Sequence, residues 1–199
     1  IEAIARASAT VAASLTVTEA NLSGACPQTF QFNLAFTSSG AGTVTYQLEA
    51  VADFYRRNRE AHARWSPPMP DAMFNIEGQR ERLTEAAAAA GAGTQIGWWL
   101  FATDEPGFAL GQVHFSQITR RAFCNAMLGY AIDAAHEGRG LMREALQATL
   151  ADAFSPHVNL HRVQANGRPE NTRSLALLDH RHCEREGLAR EYLYIDGAW

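Results

Sequence analysis

Leu128-Gly129-Tyr130-Ala131-Ile132-Asp133-Ala134-Ala135-His136-Glu137-Gly138-Arg139-Gly140-Leu141-Met142 organises the chain around it. Residues 126–132 have the composition of a strand, and residues 140–154 repeat apolar side chains at helical spacing, with Leu141, Ala145, Leu146 and Leu150 on one face. Between them lie two glycines separated by one residue. Glycine has no Cβ, so the main chain there can approach a ligand closely. A helix that starts immediately afterwards offers unpaired N–H groups and the positive end of its dipole. The pattern predicts an anion, above all a pyrophosphate, at a strand-to-helix turn, with Arg139 as a further donor. A plain tight turn uses the same two glycines, and the spacing alone leaves both readings open. The Gly-Lys-Ser/Thr ending of a Walker loop is absent, and the third glycine and ribose-binding acid of a dinucleotide fingerprint are out of register.

Helices and strands alternate on both sides of this turn. Residues 51–63 read as a helix anchored by Phe54 and Tyr55, with Arg56, Arg57 and Arg59 on its solvated face. Pro67, Pro68 and Pro70 must interrupt it. A second helix spans 77–90 and stops at Gly91-Ala92-Gly93. Strands follow at 97–102, 109–116 and 126–132, then a strand at 161–165, a helix at 172–180 and a strand at 188–195. The expected class is α/β in the α+β sense: a mixed, mainly antiparallel central sheet flanked by helices.

Residues 1–50 are different. They carry four charged side chains, Glu2, Arg6, Glu19 and Glu49. Alternating runs at 15–18, 30–36 and 44–48 predict strands, the last two forming an N-terminal β-hairpin across a Gly-rich loop. Residues 26–48 look like a hairpin from bacterial immunoglobulin-like surface domains. The expected organisation is a β-rich, low-charge segment 1–50 followed by an α/β domain 51–199.

Composition narrows the chemistry further. With 199 residues and 47% hydrophobic content, the chain can bury one core plus a small appendage. A net charge of −4 gives no general attraction for nucleic acid, and no apolar run is long enough to span a bilayer. All 17 basic residues are arginine. Schiff-base and lysine general-base chemistry are therefore excluded. Cys26, Cys124 and Cys183 are too scattered for a disulfide framework, which points to a reducing, cytoplasmic setting. The seven histidines lack metal-ligand spacing, Arg181 interrupts the His180–Cys183 cluster, and no metal site is expected.

Several ordered motifs together resemble the GNAT N-acetyltransferase superfamily over residues 51–199, and within it the bacterial ribosomal-protein N-terminal acetyltransferases acting on alanine or serine. They are Asn58-Arg59-Glu60 with Trp65 and Pro68, Ala109-Leu110-Gly111-Gln112-Val113, the quoted stretch around Gly138, His161-Arg162-Val163-Gln164-Ala165-Asn166, Asn171-Thr172-Arg173-Ser174, Glu186–Leu193 and Asp196-Gly197-Ala198-Trp199. The resemblance implies acetyl-CoA as co-substrate. Main-chain N–H groups from Gly138, Arg139, Gly140, Leu141 and Met142 would hold its pyrophosphate. The strand carrying Leu128, Tyr130 and Ile132 would pair with the pantetheine arm and offer an N–H to the acetyl carbonyl. Asn171 would touch the cofactor near the pantetheine, Ser174 would protonate the leaving thiolate, and Glu191 matches a proposed general base. The implied acceptor is a protein or peptide N-terminus, possibly ribosomal. Acetylation of a small amine or antibiotic, and a non-catalytic or composite CoA-binding protein, are the alternatives. In three places the chain departs from the family: Arg181-His182-Cys183 stands where Leu-Gly-Phe is usual, the first strand is replaced by the low-charge segment, and the final strand after Trp199 is missing. Arg181 and His182 are expected to leave charge in a core position or expose the segment. Glu137, where Gln or Arg is usual, sets an acid beside the pyrophosphate.

Overall fold

A computed structural model describes residues 41–102, 105 and 107–199. Helix α1 (Ala41–Arg57) opens the described chain and is followed by the short α2 (Arg59–Ala63), a 3-10 turn at Asp71–Phe74 and α3 (Ile76–Gly91). Strands β1 (Ile96–Phe101), β2 (Ala109–Thr119) and β3 (Asn125–Ile132) form an antiparallel meander. Helix α4 (Leu141–Ala153) crosses over to β4 (Arg162–Ala165), which pairs parallel with β3, and α5 (Thr172–Asp179) follows. The sheet order is β1-β2-β3-β4. Among the described residues no helix is long and apolar enough to cross a membrane.

The alternation of the strands gives the sheet two apolar faces. Trp98, Leu100, Val113, Phe115, Ala126 and Leu128 pack against Leu141, Met142, Ala145 and Leu146 of α4. On the other face Phe101 and Ala109, with Trp99 and Ala131, meet Val51, Phe54 and Tyr55 of α1. Phe54 and Tyr55 are the expected anchors, each meeting Trp99 edge-on at 5.4 and 5.8 Å. Edge-on aromatic pairs at such separations add to what burial alone contributes.

Four expectations change. Residues 44–48 lie inside α1, not in a hairpin strand. Their β-branched and aromatic content suggested a strand, but Leu48, Val51 and Tyr55 recur at helical spacing and are buried together on one face. The other hairpin strands lie outside the described residues. Residues 188–195 form no strand; an isolated bridge joins Ile195 and Ala198. Among the described residues no strand pairs with the outer side of β4. The helix expected over 51–63 is broken at Asn58, whose side chain turns inward and is 2% exposed. Arg57, expected to be solvated, turns its guanidinium in to the buried Asp133, which leaves its side chain 23% exposed.

At the end of α5 the departure at residues 181–183 has a local consequence. The Cys183 N–H reaches back to the Leu178 carbonyl at 3.1 Å, which closes the helix, and His182 takes a left-handed φ of 60°. The segment is exposed at His182 and half-buried at Arg181 and Cys183, so the exposure alternative holds. A left-handed conformation strains any residue with a Cβ. His182→Gly is therefore expected to stabilise the fold by about 1 kcal/mol, measured as the shift in urea midpoint at unchanged slope.

Candidate active site

The parallel pairing of β3 with β4 runs from Asn125 opposite Arg162 to Leu128 opposite Ala165 and then stops, while β3 continues to Ile132. The Asp133 N–H bonds to Leu110 on β2 at 2.7 Å. Main-chain groups alternate in direction along a strand, so those of Tyr130 and Ile132 point away from β2, into the gap where β4 has ended. The Ile132 carbonyl is occupied by His62 Nε2 at 2.9 Å. Among the described residues, the Tyr130 N–H and carbonyl and the Ile132 N–H have no strand opposite them. They form a slot for an extended chain with amide groups of its own.

The slot leads to the start of α4. Gly138 and Gly140 have φ values of 74° and 82°, the left-handed region that the quoted stretch reserves for glycine. Gly140 caps the helix without a side-chain hydrogen bond, so the first turn at Leu141 and Met142 offers its N–H groups outward. Among the described residues nothing lies within 4 Å of where a Cβ on Gly138 would sit, so the turn is open there. Arg139 folds back to the Ala135 carbonyl at 3.2 Å. Glu137, the acid beside the turn, is paired with Arg173 of α5 and so does not face the anion position uncompensated. The glycine spacing left a plain turn open; an uncapped helix end above an open slot favours the anion site.

A buried polar cluster holds this turn in place. Asp133 is 2% exposed and accepts from Arg57 Nε at 2.6 Å, His136 Nδ1 at 2.8 Å, Asn58 Nδ2 at 3.0 Å and the Ala135 N–H at 3.1 Å. Asn58 Oδ1 in turn accepts from the Ala134 N–H at 2.8 Å. Burial alone would raise the Asp133 pKa. The hydrogen bonds from His136, Asn58 and Arg57, with the Arg57 charge, outweigh it and lower the value to about 2. Arg57 is anchored further by the Ala109 carbonyl and by Phe108, whose ring centroid lies 4.0 Å from its guanidinium carbon. Sequence reasoning missed this cluster. Asp133 two residues before Ala135 does carry an Asx-turn signal, but nothing local points to Arg57, 76 positions away.

On the other side of the slot, Asn171 caps α5 by accepting from the Ser174 N–H at 3.2 Å. The Ser174 hydroxyl lies 2.6 Å from the Tyr130 hydroxyl. Burial pushes the Tyr130 phenol up, against the pull of the Ser174 hydrogen bond. Of the expected residues, Tyr130 and Ser174 are brought together by their hydroxyls, Asn171 caps the helix that carries Ser174, Ile132 lies farther along the same strand edge, and Leu128 is buried in the core. Glu191 is exposed in the irregular segment after α5, with φ 52°, next to Tyr192, whose hydroxyl accepts from Asn166 Nδ2 at 3.1 Å. Among the described residues no three His, Cys, Asp or Glu side chains converge to hold a metal ion.

The family model described as an acetyltransferase (GNAT) domain matches residues 44–184. The [Ribosomal protein uS5]-alanine N-acetyltransferase of Escherichia coli is 35% identical over 149 residues, 75% of this chain and 76% of its own. The crystal structure of the ribosomal-protein-S5-alanine acetyltransferase from Vibrio fischeri superimposes with a TM-score of 0.74 at 32% identity, covering 78% of this chain and 84% of that one. Mycobacterium smegmatis RimJ in complex with CoA-disulfide superimposes with a TM-score of 0.71 at 28% identity, covering 78% and 74%.

Proposed function

The chain belongs to the GNAT acetyltransferase family and is an acetyl-CoA-dependent N-acetyltransferase; from that premise we propose that its acceptor is the α-amino group of a protein N-terminus, with a ribosomal protein as the leading candidate. The observation that supports the cofactor placement is the β3 edge beyond Leu128, which lies in line with the uncapped start of α4. In this reading the N–H groups of Gly138–Met142 bind the pyrophosphate and Arg139 adds a donor. The edge at Tyr130 and Ile132 pairs with the pantetheine amides and presents one N–H to the thioester carbonyl, where negative charge develops. Asn171 borders the arm. The acceptor class rests on relatives named for ribosomal-protein alanine acetylation, and we place the reaction in the cytoplasm with that class of substrate.

Transfer is direct attack of the amine on the thioester, with no acyl-enzyme. The C–N bond forms, the C–S electron pair leaves on sulfur, and a donor near the sulfur protonates the thiolate. We assign that role to Ser174, whose hydroxyl is supported by Tyr130 at 2.6 Å. Ser174→Ala is expected to lower kcat about 100-fold with little change in acetyl-CoA affinity. A loss of affinity equal to the loss of kcat would make it a binding residue instead. Glu191 is the carboxylate offered by the family motif for the amine proton, and its role rests on that resemblance alone.

The reading is tested by incubating the chain with acetyl-CoA and peptides starting with Ala or Ser, following thiol release and the acetylated terminus by mass spectrometry. Acetyl-CoA at 100 times its Kd should stabilise the fold by about 2.7 kcal/mol. Transfer to small amines with none to the peptides would replace the acceptor class. Absence of any stabilisation would remove the cofactor assignment.

A further inference from the structure

We propose that the cavity between α1, α3 and the sheet receives the acceptor amine, and that His114 on its floor takes the amine's proton. This inference rests on the reading of the chain as an N-acetyltransferase. Across the antiparallel pair, His114 stands opposite Gly129 and Gln112 opposite Ala131, so these four positions share the sheet face turned toward α1 and α3. The thioester edge at Tyr130 belongs to the same strand, one residue from Gly129. A Cβ on Gly129 would lie 2.3 Å from His114 Cε1 and 2.4 Å from Nε2, so the imidazole rests directly on the glycine. Only the thickness of the β3 backbone separates the ring from the edge assigned to the acetyl group.

The space in front of the ring is a cavity of about 300 Å³, lined among others by Gln79, Arg82, Trp99, Gln112, His114 and Ser116. That volume suits the first residue of a peptide or a small amine. Among the described residues His114 makes no hydrogen bond, although Gln112 is held by Tyr55 at 3.0 Å, and Arg82 by Gln79 at 3.1 Å and Tyr55 at 3.3 Å. Arg82 on α3 is the other titratable side chain among the described lining residues. Tyr55 on α1 faces the same layer through Gln112, and β1 and β3 contribute no charged side chain to the lining. No carboxylate pairs with Arg82 among the described residues. Burial and then the Arg82 charge both lower the His114 pKa from its ordinary value. The ring is therefore neutral, hence a base, at neutral pH, and the same Arg82 charge opposes an ammonium arriving beside it.

The proton balance is complete. One proton passes from the substrate ammonium to the imidazole, and the freed lone pair forms the bond to the acetyl carbon. The C–S pair leaves on sulfur, a second amine proton reaches the thiolate by way of Ser174, and the imidazolium returns its proton to water. Sequence reasoning passed over His114 because a single histidine on an alternating strand is ordinarily a core residue.

The test measures thiol release from acetyl-CoA against pH with Ala- and Ser-initiated hexapeptides and a small primary amine. His114→Gln is expected to lower kcat about 100-fold, with the acetyl-CoA thermal shift retained to show an intact cofactor site. Arg82→Gln should move the acidic limb of kcat/KM to higher pH, because removing the charge raises the His114 pKa, while Arg82→Lys leaves the limb in place. His114→Ala should regain turnover with added imidazole. Parent-like turnover in His114→Gln, or an unmoved limb in Arg82→Gln, overturns the role of His114 and leaves acetyl transfer standing. A parent chain that binds acetyl-CoA but acetylates none of these amines overturns the acceptor reading and this inference with it.

Discussion

Gly138→Asp is expected to weaken acetyl-CoA binding more than 100-fold, a loss of about 2.7 kcal/mol, while Gly138→Asn stays within about tenfold of the parent. The pair separates charge from shape. Gly138 has φ 74° and open space where its Cβ would be, so neither substitution meets a steric wall. Asn and Asp both visit the left-handed region more readily than other residues with a Cβ, so the strain they add is small and similar. What differs is a carboxylate placed beside the N–H groups that start α4, where it competes with a pyrophosphate and repels it. Calorimetric titration with acetyl-CoA measures both Kd values. Equal affinities for the Asp and Asn variants would show that the anion lies elsewhere.

Asp133→Asn carries the second large effect, an expected loss of about 2–3 kcal/mol in stability together with weaker cofactor binding. An amide of the same shape keeps one acceptor oxygen but turns an NH2 group either toward Arg57 and Asn58, which share Oδ2, or toward His136 and the Ala135 N–H, which share Oδ1. The Arg57 side chain is 23% exposed, so water compensates part of its loss and the full cost of a wholly buried unpaired charge is not reached. Because Ala134 and Ala135 hang from the same cluster, the turn ahead of Gly138 loses its fixed entry. The sign of the pH dependence follows from the lowered carboxylate. Its contribution is complete above the unfolded pKa of about 4 and disappears as pH falls through the folded value of about 2. Urea midpoints between pH 7 and 2 should converge for parent and variant at the acid end. Parallel curves would assign the difference to packing instead of ionisation.

The distance of an interaction along the chain decided what could be read in advance. Strands β1 to β4 and helices α3 to α5 were legible nearly to the residue, because alternation, helical spacing, the proline cluster and the glycine turn act locally. The glycine turn ahead of α4 was legible for the same reason, its two glycines and the helix start lying within five residues. Residues 188–195 misled because an alternating run has no strand status without a neighbour, and whether one is present is a tertiary fact. Residues 44–48 misled because β-branched side chains describe a preference that the buried face of Leu48, Val51 and Tyr55 overrides. The Asp133 cluster and the contact of His114 with Gly129 join positions that only the folded sheet brings together. Arg57 shows the cost of a local reading: as one of three nearby arginines it looked solvated, yet it alone reaches the buried carboxylate.

The bond from His62 to the Ile132 carbonyl works as an end stop. With that acceptor already taken, the β3 edge offers a short, asymmetric code of donor, acceptor, donor from Tyr130 to Ile132. A guest chain can match such a code in a single register, because sliding it along would set a donor against a carbonyl that has no capacity to spare in that direction. The fold thus measures position as a ruler with one graduation does. In the proposed reading the thioester of a bound arm is indexed to the same point on the strand, whatever acceptor arrives.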